Sequence, residues 1–198
     1  MKEFEENLIK KGITIIAGVD EAGRGPVAGP VVAAAVILRN DLEYEYINDS
    51  KVLTKKQRQI AFEKLKKEAL YFSYSVIDHE VIDKINILEA TKLAMISAIN
   101  KLEVKPEHIL IDAVKLNIDI DSTSIIKGDL KSVSIAAASI VAKEIRDEIM
   151  GKYHLEYPNY DFINNKGYLT KKHIESIQTF GPSKIHRKSF EPIKSYYK

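Results

Sequence analysis

Short β-branched runs and longer helical periodicities succeed one another along this 198-residue chain, and their order predicts an α/β fold. Ile13 to Ala17 and Val31 to Leu38 are apolar runs separated by a glycine- and proline-punctuated stretch, which reads as strand, irregular turn, strand. After a polar loop at Asp49-Ser50-Lys51, Thr54-Lys55-Lys56-Gln57 has the pattern of a capping box and opens a helix to about Lys67, with Ile60, Phe62 and Leu65 among its apolar positions. Leu70 to Val76 alternates as a third strand. Asp78 caps a short helix through Ile82, and Asn86 with Glu89 opens another in which Leu88, Leu93, Met95, Ile96 and Ile99 give an amphipathic face to about Leu102. Pro106 closes that region. His108 to Asp112 is a brief strand ending in a carboxylate, and Ser124 to Asp129 repeats the design with a glycine between strand and carboxylate. Ser132 to about Tyr157 is helix, with the small face Ala136-Ala137-Ala138 suited to close packing on a sheet. Pro158 breaks it, and a last helix runs from a Thr170 cap to Gly181.

No repeat, low-complexity tract or linker interrupts this series, so one folding unit is expected, long enough to bury a real core. A hydrophobic share of 45% with 29% charged residues is that of an ordinary globular chain. The absence of cysteine excludes disulfides and thiolate zinc sites and fits a cytoplasmic location. Met1 to Glu6 is too acidic for a signal peptide, and no apolar run reaches membrane-spanning length. The net charge of +2 decides nothing, but its distribution is uneven: from Gly151 to Lys198 nine Lys/Arg face four Asp/Glu. A solvated basic tail and a phosphate-facing surface are equally open readings of that bias.

Patterning leaves the pair Asp20-Glu21 unexplained. Alone, such a pair is an ordinary strand end entering a turn. Successive strand side chains point to opposite faces, so a shared site requires Glu21 to have left strand geometry, which the following glycines permit. Gly23-x-Gly25-x-x-Ala28 matches a dinucleotide fingerprint, but Pro26, Pro30 and a β-branched run follow where that motif needs a helix. The glycines suit another use: flanking Arg24, they let backbone N–H groups and a guanidinium approach a phosphate closely. Asp20, Asp112 and Asp129 each stand at or just beyond the C-terminal end of a predicted strand, where α/β sheets bind ligands. Four carboxylates brought together would repel one another unless cations neutralised them, and hard oxygen donors favour Mg²⁺ or Mn²⁺. Metal-assisted phosphoryl transfer is the chemistry this set suggests.

The motifs together resemble bacterial ribonuclease HII. The resemblance rests on Gly18 to Pro26, Asp49-Ser50-Lys51, Leu110-Ile111-Asp112, Lys127-Gly128-Asp129, Ser134 to Lys143, Asn165-Lys166-Gly167-Tyr168, Gly181-Pro182 and His186 to Phe190, in the family's order from about Ile13 to Pro192. Departures are small: Val52 and Val27 stand where lysine and leucine are common. The resemblance implies a ribonuclease H-like mixed sheet of about five strands flanked by helices, with a helical C-terminal extension. Residues 1–198 would form one catalytic domain, with a core of about 13–150 and a basic, substrate-binding 151–198. It implies an endonuclease that hydrolyses the RNA strand of RNA–DNA hybrids and cuts 5′ to ribonucleotides embedded in duplex DNA, leaving 3′-hydroxyl and 5′-phosphate ends. Carried over by motif, Asp20, Glu21, Asp112 and Asp129 would be the catalytic ligands of two divalent ions, Mn²⁺ or Mg²⁺, roughly 4 Å apart. Gly23, Arg24 and Gly25 would hold the ribonucleotide, and Tyr168 would pack on the adjoining deoxyribose. Lys51, Lys143 and Arg146 are candidate phosphate contacts, with a plain surface or structural role equally open for each. His173, His186 and Asp147 are expected to be structural. The enzyme would be a monomer without membrane association, and contact with a replication clamp is not readable from these residues. The alternatives are the sister ribonuclease HIII, whose glycine loop lacks the central arginine, and a nucleic-acid-binding module that has lost catalysis.

Overall fold

The computed structural model describes residues 1–47 and 53–197. Its framework is a five-stranded sheet in the order β3-β2-β1-β4-β5, made of β1 (Ile16–Ala22), β2 (Val31–Ile37), β3 (Tyr71–Ile77), β4 (His108–Asp112) and β5 (Ser122–Ile125). β2 runs antiparallel to β1 and β3, while β4 and β5 run parallel to β1. The directions follow from the connections. A short loop returns β1 into an antiparallel β2, whereas a parallel neighbour needs a longer crossover, here carrying a helix between β3 and β4.

Every residue of β2 is buried, as expected of an inner strand covered on both faces. Ala33, Ala35 and Ile37 join Ala17 and Val19 in one core with α3 (His79–Asn100). Ala34 and Val36 point the other way, into a core with α2 (Lys55–Glu68) and α4 (Val133–Glu156). β3 alternates, with Ser73 and Ser75 buried and Tyr74 and Val76 exposed, which is the pattern of an edge strand.

The predicted caps form. Thr54 and Gln57 make the reciprocal capping box of α2, and Asp78, Ser132 and Thr170 cap α3, α4 and α6 (Lys171–Phe180). The two helices expected around Asn86 run on as one kinked element. Asn86 sits at φ 67° and accepts from the N–H groups of Leu88 and Glu89, so it is the N-cap of the second segment. α1 (Glu3–Ile9) is an element the polar N-terminal pattern did not announce. Its buried Glu5 accepts from the Ser132 hydroxyl and the Ser134 N–H, adding a carboxylate cap to α4.

α4 lies directly on β1. A Cβ at Gly18 would stand 2.0 Å from the carbonyl carbon of Ser134, so no larger residue fits between strand and helix. Beyond α4, α5 (Phe162–Asn165), α6 and a closing segment build a smaller cluster in which Met150, Phe162, Ile177 and Ile185 pack on Val27 and Ala28. The C-terminal part thereby grips the loop between β1 and β2: Ala28 forms a β-bridge with His186, Gly29 N–H donates to Ile185, and Arg187 N–H donates to Val27. Among the described residues no helix is long and apolar enough to cross a membrane.

Candidate active site

Parallel pairing of β1 with β4 is in register to Val19–Ile111, so the next step along both strands sets Asp20 beside Asp112. Side chains at equivalent positions of neighbouring strands share a face, here the one covered by α4. Asp20 is only 5% exposed and accepts from the Glu21 N–H and from Ser139 on α4. Burial, then the charges of Glu21 and Asp112, push its pKa well above the usual carboxylate range. The Glu21 carboxyl is also raised, chiefly by burial and against the pull of Arg24, whose guanidinium reaches Glu21 Oε1 at 3.3 Å. Glu21 Oε2 is buried with no hydrogen-bond partner among the described residues. Asp112 Oδ1 accepts from the Gly128 N–H at 2.7 Å.

One sequence expectation changes. Glu21 does not leave the strand, because it remains paired with Ala33 in β1. Both carboxylates nevertheless border one cavity of about 420 Å³, since it lies over the strand end, past the last register pair with β4. β5 ends at Ile125, and Asp129 lies just beyond it in a 3-10 turn, Gly128–Leu130, entered through Lys127 at φ 57°. Asp129 is buried and is not among the residues bordering the cavity. Among the described residues no three acidic or histidine side chains are drawn together as a finished metal cage. The donor chemistry still suits a hard cation: two carboxyls whose pKa values are raised by burial and by neighbouring carboxylates, one of them, among the described residues, with an unsatisfied buried oxygen.

The opposite wall is the Gly23-Arg24-Gly25 loop. Gly23 has φ +98°, and a Cβ there would meet Arg146 Nε at 2.1 Å, so the position needs glycine on both counts. Two buried arginines hold this loop through its carbonyls. Arg146 donates from Nε to Pro30 and from a terminal nitrogen to Ala28. Arg187 donates to the carbonyls of Gly23, Arg24, Gly29 and Pro30. Burial lowers their pKa values, to about 10 for Arg146 and about 9 for Arg187. Arg146 thus holds the loop from within, and its side chain also borders the cavity. Arg187 was within a recognised motif, but nothing local in His186-Arg187-Lys188 distinguishes a buried arginine from an exposed one.

Tyr168 closes the third side. Its ring comes 3.4 Å from where a Gly25 Cβ would be, and the residue is 48% exposed. Lys143 borders the cavity, paired with Asp147 at 2.6 Å. Asp147 also binds Arg58, which bonds Glu144 and borders the cavity too. Arg58 was missed because its partners lie 86 and 89 residues away on α4, with no local signal in α2. Ser139 lay within the Ser134 to Lys143 motif, but the sequence did not mark it as the hydroxyl that meets Asp20. Lys51 lies outside the described residues.

Comparison with known proteins agrees with this layout. The ribonuclease H2 of Pyrococcus horikoshii is 27% identical, superposes with a TM-score of 0.78, and is matched over 91% of this chain and 95% of its own. The ribonuclease HII in a PCNA complex from Archaeoglobus fulgidus shares the fold at 23% identity and a TM-score of 0.75, over 89% and 95% of the two chains. Bst-RNase HIII in complex with Mn²⁺ is more distant, at 17% identity and 0.67, covering 92% and 69%. The fold is thus the ribonuclease H-like mixed sheet. With the Ribonuclease HII family pattern matching residues 17–193, nearly the whole described sheet and its C-terminal clasp, this chain belongs to the ribonuclease HII family.

Proposed function

We propose that this chain is a divalent-metal-dependent endonuclease that hydrolyses the RNA strand of RNA–DNA hybrids and cuts 5′ to single ribonucleotides in duplex DNA. Family membership carries ribonuclease H activity in general. The observation that supports the finer reading is a single cavity bordered by Asp20, Glu21 and Asp112 on one side and by Arg24 and Tyr168 on the other. Mg²⁺ or Mn²⁺ held by these carboxylates together with Asp129 would supply an activated water and charge stabilisation at the scissile phosphate.

The chain's own groups do the rest. Ser139 and the Gly128 N–H orient Asp20 and Asp112, so their oxygens are placed before substrate arrives. Arg24, 42% exposed at its side chain and loosely paired with Glu21, is free to turn to a phosphate. Arg187 binds the carbonyls of Gly23 and Arg24, so the N–H groups of the same peptide units, those of Arg24 and Gly25, point the opposite way from that arginine. A lone 2′-hydroxyl distinguishes a ribonucleotide from its neighbours and must be read by hydrogen bonds at close range. The glycine loop permits that approach, and Tyr168 would stack on the following sugar. Products with 3′-hydroxyl and 5′-phosphate ends follow from attack by water at phosphorus with departure of the 3′-oxygen.

The test is to map the cut on an end-labelled duplex bearing one ribonucleotide, with Mg²⁺, Mn²⁺ and chelator. Cleavage 5′ to the ribonucleotide, abolished by chelator, is expected. Binding without cleavage in either metal would leave the catalytically silent module as the better reading.

A further inference from the structure

His173 and His186 are both fully buried, and their Nε2 atoms lie 3.1 Å apart. The flanking bonds fix where the protons are. His173 Nδ1 is 2.8 Å from the carbonyl oxygen of Tyr168, which can only accept, so that nitrogen carries hydrogen. A neutral imidazole has one N–H, leaving His173 Nε2 as acceptor and making His186 Nε2 the donor across the pair. His186 Nδ1 must then accept, and it meets the Ser183 N–H at 2.9 Å and the Ser183 hydroxyl at 2.8 Å. All four ring nitrogens are satisfied with both rings neutral and in opposite tautomers. Burial depresses the pKa of each ring, in agreement with that state.

The chain of bonds runs from Ser183 through both rings to Tyr168. At its other end His186 forms the β-bridge to Ala28, within the loop that carries Gly23 to Gly25. His186 thus links the two segments indirectly: its backbone bridges Ala28, three residues past Gly25, and its ring meets His173, which bonds the Tyr168 carbonyl. The Tyr168 carbonyl also accepts from the Thr170 N–H, and the Val27 N–H donates to the Gly167 carbonyl, so the histidine link is the side-chain member of a small set of bonds that place the ring relative to Gly25.

We propose that His173 and His186 are positioning residues for substrate selection, setting the spacing between the Tyr168 ring and the Gly23-Arg24-Gly25 loop. The inference rests on the reading of Tyr168 as the group that packs on the sugar next to the ribonucleotide. A duplex with one ribonucleotide presents a single acceptable register, so selection there depends on that spacing. A uniform hybrid offers many registers and depends on it less.

The experiment compares kcat and KM on those two duplexes for wild type, His173→Phe, His173→Asn, Tyr168→Ala and the double variant Tyr168→Ala/His173→Phe. Displacing a substrate-positioning group by about 1 Å can cost ~100-fold. His173→Phe should therefore lower kcat/KM on the single-ribonucleotide duplex about 10-fold more than on the hybrid. His173→Asn keeps a donor near Nδ1 and should restore most of the difference. In the Tyr168→Ala background His173→Phe should leave the ratio of the two activities unchanged, because the residue it acts through is gone. Equal losses on both duplexes, or a further change of the ratio in the double variant, would overturn the proposal. Because these variants can lose stability, imidazole ¹⁵N spectra of the wild type without substrate give a second arm. Opposite neutral tautomers are expected, and identical or protonated rings at neutral pH would refute the relay. Wild-type protein that cleaves neither duplex would remove the functional reading instead, while the tautomers would still decide the relay.

Discussion

Asp20 and Asp112 stand side by side on parallel neighbouring strands, one residue past the Val19–Ile111 pair, with Asp20 buried under α4. Burial, then the charges of Glu21 and Asp112, raise the pKa of Asp20, so its ionised form is costly to the fold. A carboxylate whose folded pKa is raised binds protons more readily folded than unfolded, so its effect on stability becomes unfavourable above its unfolded pKa. Asp20→Asn should therefore keep or raise the melting temperature at neutral pH in chelator. Cleavage by Asp20→Asn or Asp112→Asn should fall by more than the ~10–100-fold typical of residues behind a metal's ligands. Normal turnover by either variant in saturating Mg²⁺ and Mn²⁺ would take that residue out of the mechanism.

Tyr168→Ala should lose more kcat/KM on a duplex with one ribonucleotide than on a uniform hybrid, while Tyr168→Phe should retain the wild-type ratio. Steady-state kinetics on the two substrates checks this, and an equal loss would reduce the ring to general packing.

Arg187→Lys keeps the charge but cannot reach four carbonyls at once. Each buried acceptor left without a donor costs ~1–3 kcal/mol. A loss of at least ~3 kcal/mol is expected, or a melting point lower by roughly 6–12 °C for a chain of this size. Thermal unfolding measures it, and a shift under ~2 °C would mean that the carbonyls find other donors.

The layers of this fold were legible because its elements are strongly patterned and explicitly capped: β2 and β4, the Thr54 box and the Ser132 cap fall where their residues place them. α1 was not, since its main role is to bring Glu5 to the start of α4, a contact 127 residues away in sequence. The carboxylates Asp20 and Asp112 were visible because a charged residue ending an apolar strand has no packing explanation. That Arg146 and Arg187 bind carbonyls beneath the loop was not legible, for the opposite reason. Buried and exposed arginines look alike in a polar stretch, and only the tertiary fold decides which one meets carbonyls.

Stability should also fall in acid through the histidine pair. Burial lowers both pKa values, and for His186, to about 3, the nearby His173 and then His79 add to the effect. Between the unfolded value near 6.5 and the folded one, the unfolded chain binds more protons, so stability rises with pH there. It should be fully present above about pH 6.5 and decline on acidification, by up to ~1.4 kcal/mol per pH unit for each ring that stays neutral when folded. Urea midpoints from pH 7 to 4 for wild type and His186→Phe would show it: the slope should be shallower in the variant.

Duplex binding should weaken with salt, with a log–log slope of about −0.9 for each phosphate contacted. Lys172 is already paired with Asp161, whereas no ion pair is recorded at Lys171 or Lys184 among the described residues. Neutralising Lys171 and Lys184 should flatten the slope more than neutralising Lys172 does. Filter-binding titrations at several salt concentrations separate these cases.

Arg187 reaches carbonyls 157 to 164 residues earlier in the chain. During synthesis at ~5–20 residues per second, the glycine loop would emerge many seconds before the arginine that fastens it. The carboxylate-bearing strands can pair in that interval, but the cavity has only one wall in place. Nuclease competence is therefore expected to be a late event in the birth of the molecule, reached when the final quarter of the polypeptide closes over the first strand turn. A nascent chain stalled before residue 187 would carry the acidic residues and still lack a nucleic-acid grip.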